Sequence, residues 1–138
     1  MKFLLFHFLI GIDCAAQLLG KTFEGRDILS VEIATPTNGR KVLVECGSQG
    51  RDWNSVTFCN HLIDIIPQNE ILNKVGWSII PVLNPDGYEY AKTNDRNWIK
   101  NRAGSGICRG VNINRNMPTN RWGGSSINAC SDDYQAEF

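Results

Sequence analysis

The chain is poor in histidine, with two among 138 residues, and it has no Cys-x-x-Cys pair and no Asn-x-Ser/Thr sequon. The missing Cys-x-x-Cys spacing speaks against a thiolate zinc site of the ribbon or finger type. The missing sequon removes the ordinary N-glycan. An excess of charge is absent too: 14 basic residues balance 14 acidic ones. That balance argues against nucleic acid or a polybasic membrane surface as partner. Beyond residue 20 no apolar run is long enough to span a bilayer, and there is no internal repeat or low-complexity tract. What is present is an ordinary globular composition, 42% hydrophobic. A chain of this length reads as one domain, able to bury roughly two thirds of its unfolded surface.

The N-terminus has the form of a secretory signal. Lys2 supplies the positive start, Phe3 to Ile12 is apolar apart from His7, and Cys14-Ala15-Ala16 offers small residues for cleavage after Ala16. The competing reading is a buried element of the mature domain. The expected division is therefore a signal over 1–16 and a domain over 17–138, in a secreted, extracellular protein. Of the five cysteines, Cys14 would leave with the signal. Cys46 in an apolar strand and Cys59 in the following helix read as free buried thiols.

Periodicity gives an α/β layout. Ile28 to Ala34 alternates apolar and polar positions, as an antiparallel or edge strand does. Pro36, Asn38 and Gly39 place a turn over 35–40. Lys41 to Cys46 is a short β-branched apolar run that reads as an inner strand. Asp52 or Asn54 is positioned to cap a helix that presents Val56, Cys59, Leu62 and Ile66 on one face and stops at Pro67. A second short helix is expected over Asn69 to Val75, then a buried strand over Gly76 to Leu83. Asn84-Pro85-Asp86-Gly87 reads as a tight turn, and the chain after Asn94 is dominated by loops. Strand, helix and strand with an inner apolar run predict a mixed sheet with helices packed on it.

Three stretches carry the chemistry: Cys46-Gly-Ser-Gln-Gly-Arg-Asp-Trp53, Pro81-Val-Leu-Asn-Pro-Asp-Gly-Tyr88 and Gly110-Val-Asn-Ile-Asn-Arg-Asn116. Taken in this order, and with Trp98-Ile-Lys-Asn-Arg102 between the last two, they resemble the zinc metallocarboxypeptidases of the carboxypeptidase A/B type. The resemblance begins near Gly20, where Gly20 to Arg26 fits the family's G-x-S-x-E-G-R pattern, and runs to Phe138. It implies the N-terminal half of a mixed-sheet, helix-flanked metallocarboxypeptidase fold. It also implies zinc as cofactor, peptide or protein C-termini as partners, and proteolysis by removal of C-terminal residues. By the same resemblance Cys108 and Cys130 align with a family disulfide, which would stabilise by about 3 kcal/mol in the chain-entropy model.

Residue by residue, the family's G-x-H-x-x-E-W frame falls on Gly47 to Trp53, so Gln49 and Asp52 occupy the two zinc-ligand positions. Gln49 offers a neutral amide oxygen, and Asp52 a carboxylate on a shorter arm. The plain alternative for Asp52 is a helix cap. In the R-x-W-R-K-x-R frame, Arg96 matches an outer-subsite arginine, while Ile99 stands where the family has its oxyanion arginine. Loss of one such donor typically costs about 10²–10³ in rate. Asn114 and Arg115 match the pair that grips the substrate carboxylate, a task suited to a bidentate guanidinium; a solvated loop arginine is the plain alternative. His61 falls within the predicted helix and has no ligand partner by spacing. The family's third zinc ligand, general base and capping tyrosine come from a half that extends beyond this chain. The expectation is therefore an impaired or inactive peptidase. The alternative is a non-catalytic domain, either vestigial or binding peptide C-termini.

Overall fold

The computed structural model describes residues 14–33, 41–117 and 125–136. Four strands form one mixed sheet: β1 (Cys14–Lys21), β2 (Asp27–Ile33), β3 (Lys41–Glu45) and β4 (Gly76–Ile80), in the order β1-β2-β4-β3. β1 and β2 form an antiparallel hairpin, β2 runs antiparallel to β4, and β3 runs parallel to β4. The parallel pair needs a crossover, which helix α1 (Trp53–Ile65) supplies. A second helix, α2 (Pro85–Thr93), follows β4. The rest of the described chain is loop, with 3-10 turns at Ile66–Gln68, Leu72–Lys74 and Ile113–Arg115.

The α/β mixed sheet agrees with the sequence reading, and so does the strand expected from Ile28 on, observed as Asp27–Ile33. The turn expected over 35–40 lies outside the described residues. Alternation along β2 is realised as two faces. Ile33 joins Ile79, Cys46, Cys59, Ile63 and Ile66 in the core, with Val31, Val44, Trp77 and Cys14 packed against them. On the opposite face Ser30, Ser78 and Lys41 all engage Glu32. Burial alone would raise the Glu32 carboxyl, but these three donors outweigh it and its pKa is lowered.

Among the described residues β3 is paired on one side, by β4, and Leu43 is 64% exposed. Three expectations are corrected. The helix expected over Asn69–Val75 is a single 3-10 turn, because the Asn69 side chain accepts the Ile71 and Leu72 amides and holds the chain in a local turn. Asn84-Pro-Asp-Gly is not an isolated turn but the start of α2. Pro85 takes the first helical position, and the Asn84 side chain caps it by accepting from the Gly87 amide at 2.9 Å. Finally, Cys46 and Cys59 are not free thiols. They form a disulfide with Cα atoms 6.3 Å apart, pinning α1 to the end of β3.

Cys14, Ala15 and Ala16 are the first three positions of β1, paired with Ile33, Glu32 and Val31. Residues 1–13 of the expected signal lie outside the described residues.

Candidate functional site

The loop after β3 is built by backbone contacts. The Cys46 amide donates to Ile80, and the Leu83 and Asn84 amides donate back to Cys46 and Gly47, so the loop leaves the sheet alongside the chain entering α2. Gly47 turns with φ +63°, and the Gly47 amide is held by the Ser55 hydroxyl of α1. At Gly50 the approach is closer still. Its amide donates to the Ile99 carbonyl at 3.2 Å, and a Cβ there would lie 2.3 Å from the Gly87 carbonyl oxygen. Only glycine fits.

Asn84 joins its own stretch to Cys46–Trp53 and to Trp98–Arg102, a role its turn-like context hid. Its side chain is 2% exposed. The amide oxygen takes the Gly87 N–H, and the amide nitrogen donates to the Ser48 carbonyl at 3.2 Å and to the Lys100 carbonyl at 3.1 Å. From there Asn101 carries the connection onward. Its backbone amide donates to Val111, and its side chain accepts from Ala103 and Val111. The chain then reaches the Ile113–Arg115 turn, where the buried Asn112 side chain accepts the Asn114 amide and donates to Asp132. Asn116 donates to the Tyr134 carbonyl and accepts from the Ala136 amide. The Cys108–Cys130 disulfide, with Cα atoms 4.4 Å apart, ties the same two segments.

On this scaffold Gln49 and Asp52 are half-buried. The Asp52 side chain does not cap α1, so the cap expected of it is not made. Arg96 is exposed. It lies over the Trp53 ring at 3.8 Å and donates to the Arg51 carbonyl at 2.9 Å, so it braces the loop that carries Gln49 and Asp52. Ile99 is buried, 8% exposed, and contributes its carbonyl to Gly50. Asn114 and Arg115 share one half-buried 3-10 turn. His61 is exposed on α1.

Lys100 is an unforeseen participant. It is buried, its ammonium donates to the Ala129 carbonyl at 2.6 Å, and it sits between the Trp98 and Tyr134 rings. Burial lowers its pKa and Arg102 adds to that, while Asp132 opposes it. Arg102 stacks on Tyr90 at 3.6 Å. A separate concavity, lined by Arg26, Leu29, Pro81, Tyr88 and Glu89, lies between β2 and α2 and takes in none of the predicted site residues.

A zinc centre needs three protein donors of His, Cys or carboxylate type. The two candidate positions hold one neutral amide and one carboxylate, and no group of three His, Cys, Asp or Glu side chains is assembled among the described residues. One neutral amide and one short-armed carboxylate are a poor pair of donors for zinc. The arginine-bearing turn at 113–115, by contrast, suits a carboxylate.

The family model described as zinc carboxypeptidase, peptidase M14, matches residues 14–138. The chain is 38% identical to carboxypeptidase B of Helicoverpa zea over 83% of its own length and 30% of the relative. It is 37% identical to the inactive metallocarboxypeptidase ECM14 of Paracoccidioides brasiliensis, over 86% of its length and 23% of the relative. The solved carboxypeptidase A of Helicoverpa armigera superposes with a TM-score of 0.80 at 32% identity, covering 89% of this chain and 33% of that one. The chain thus spans about a third or less of the length of these relatives. With the family model matched from the first strand to the last residue, this chain belongs to the zinc carboxypeptidase family.

Proposed function

We propose that this chain is a secreted, non-hydrolytic member of the family that engages the C-termini of peptides or proteins. The observation that carries the reading is the donor set. The loop at 47–53 is folded tightly against Gly87 and Ile99, yet it presents Gln49 and Asp52 in the frame where the family has its ligands. Ile99 adds to this, since a buried aliphatic side chain supplies no hydrogen bond to an oxyanion. Zinc remains a property of the relatives and is not part of this proposal.

Recognition falls to the 113–115 turn. The Arg115 guanidinium pairs with a terminal carboxylate in bidentate fashion, and the Asn114 side-chain amide donates beside it. Arg96, held over Trp53, offers an outer contact for the preceding peptide. That one relative is named an inactive metallocarboxypeptidase supports a family member without hydrolysis. The leader over 1–16 and the partial domain over 17–138 belong to the same proposal; cleavage after Ala16 would leave β1 starting at Gln17. Sequencing the N-terminus of the exported chain tests that boundary.

The binding test is fluorescence anisotropy with labelled peptides that end in a free carboxylate or in a carboxamide. Binding of the free-acid peptide alone, lost in Arg115→Met and unaffected by chelator, is the expected result. Equal binding of both peptides, or zinc-dependent release of the terminal residue, overturns the reading.

A further inference from the structure

Asn112 immediately precedes the Ile113–Arg115 turn and is 5% exposed. Its polar groups are all engaged. The side-chain oxygen accepts the Asn114 amide at 3.1 Å, and the side-chain nitrogen donates to the Asp132 carbonyl at 2.9 Å. The backbone amide donates to the Tyr134 carbonyl at 3.2 Å. The backbone carbonyl accepts the Arg115 amide at 2.9 Å and the Asn116 side chain at 2.7 Å. Asn116 closes the other end of the turn. Its side-chain nitrogen also donates to the Tyr134 carbonyl at 3.1 Å, and its oxygen accepts the Ala136 amide at 2.9 Å. Both ends of the turn are therefore fastened to one segment, residues 132–136.

The residue type at 112 matters. The side chain must accept on one side and donate on the other, and a carboxamide does both. An ionised aspartate would still cap the Asn114 amide. It would also set a carboxylate oxygen against the Asp132 carbonyl, in a buried place where an opposed polar group is costly. A serine would keep the cap and lose the reach to Asp132.

This bears on recognition because a guanidinium grips a carboxylate through a planar fork. Two parallel bonds demand a fixed orientation, whereas the ammonium of a lysine acts as a point charge. The Arg115 backbone amide is bonded to the Asn112 carbonyl, so Asn112 sets the backbone from which the fork projects. We propose that Asn112 is the positioning residue of carboxylate recognition: its carboxamide fastens the Ile113–Arg115 turn to residues 132–134 and so aims the Arg115 guanidinium. The inference rests on the peptide-terminus reading above and adds to it the buried residue that orients Arg115.

A double-mutant cycle on the full chain tests this, with fluorescence anisotropy of a labelled peptide that ends in a free carboxylate. The four proteins are the wild type, Asn112→Asp, Arg115→Lys and the double variant. Asn112→Asp is expected to weaken binding about tenfold beside Arg115 and no more than about twofold beside Lys at 115, which has no fork to aim. A purely structural role would lower both backgrounds alike. Hydrogen exchange at the Asn114 and Arg115 amides should quicken in Asn112→Asp, with protection in α1 unchanged. If Asn112→Asp loses its cooperative melt, Asn112→Ser takes its place in the cycle. Equal loss in both backgrounds, or no loss in either, overturns the positioning role and leaves the peptide-terminus reading standing. A wild type that does not bind the free-acid peptide overturns both.

Discussion

Asp86 is 2% exposed and accepts from the Thr22 hydroxyl at 2.7 Å, the Glu24 amide at 3.0 Å and the Arg26 guanidinium at 2.6 Å. It therefore clamps the β1–β2 hairpin turn to the start of α2. Burial by itself would raise its carboxyl, but the three donors outweigh burial and the pKa is lowered. A lowered folded pKa means stabilisation that is fully present above the ordinary aspartate value of about 4 and lost as pH falls through the folded value. Asp86→Asn should cost about 2–3 kcal/mol at neutral pH, because it leaves the arginine and an amide poorly matched. It should also flatten the acid limb of stability. Urea unfolding at pH 7 and pH 3 checks this, and an unchanged difference between the two would refute it. None of this was visible in the sequence, where Asp86 was one residue of a turn signal. Ile99 also looks different at this scale. In sequence it is a lost arginine. In the structure it is buried, so Ile99→Arg should destabilise by about 3 kcal/mol or more by burying a charge. Thermal melts of that variant read this directly.

At the scale of elements, α1 was legible because its apolar spacing of three to four is local, and Val56 and Cys59 are buried as expected. Its bond to β3 was not legible. Cys46 and Cys59 are 13 residues apart in sequence, a separation that says nothing of the distance between their side chains. Closing that loop stabilises by about 3 kcal/mol in the chain-entropy model. Cys59→Ser should therefore lower the urea midpoint by less than reduction of the wild type, which opens both disulfides, and reductant should change the variant less than the wild type. The α2 helix was missed for a related reason: Asn-Pro-Asp-Gly serves a tight turn and a capped helix start equally well. What settles it is the Asn84 side chain meeting the Gly87 amide with helix to follow. The glycine at 50 joins two elements. Gly50→Ala, whose Cβ would meet the Gly87 carbonyl at 2.3 Å, should cost about 1–3 kcal/mol and loosen the loop that carries Gln49.

For the molecule as a whole, the incomplete donor set makes a prediction about metal. A ligand that binds only the folded state raises the melting temperature. The melting temperature of this chain should be the same in zinc and in chelator, and a rise with zinc would show a donor set the described residues do not form. Gln49→His, Asp52→Glu and Ile99→Arg together should not produce peptidase activity, since those changes still leave a third ligand to be found; release of a C-terminal residue by that variant would show otherwise. The sequence alone determined the family and the mixed α/β class, because ordered motifs and local periodicity are properties of neighbouring residues. Only the tertiary structure decided that two cysteines meet, that Asn84 binds three stretches together and that Lys100 is buried. Each of these depends on which distant segments come within hydrogen-bond or bonding range, and that is fixed by how the sheet and helices pack.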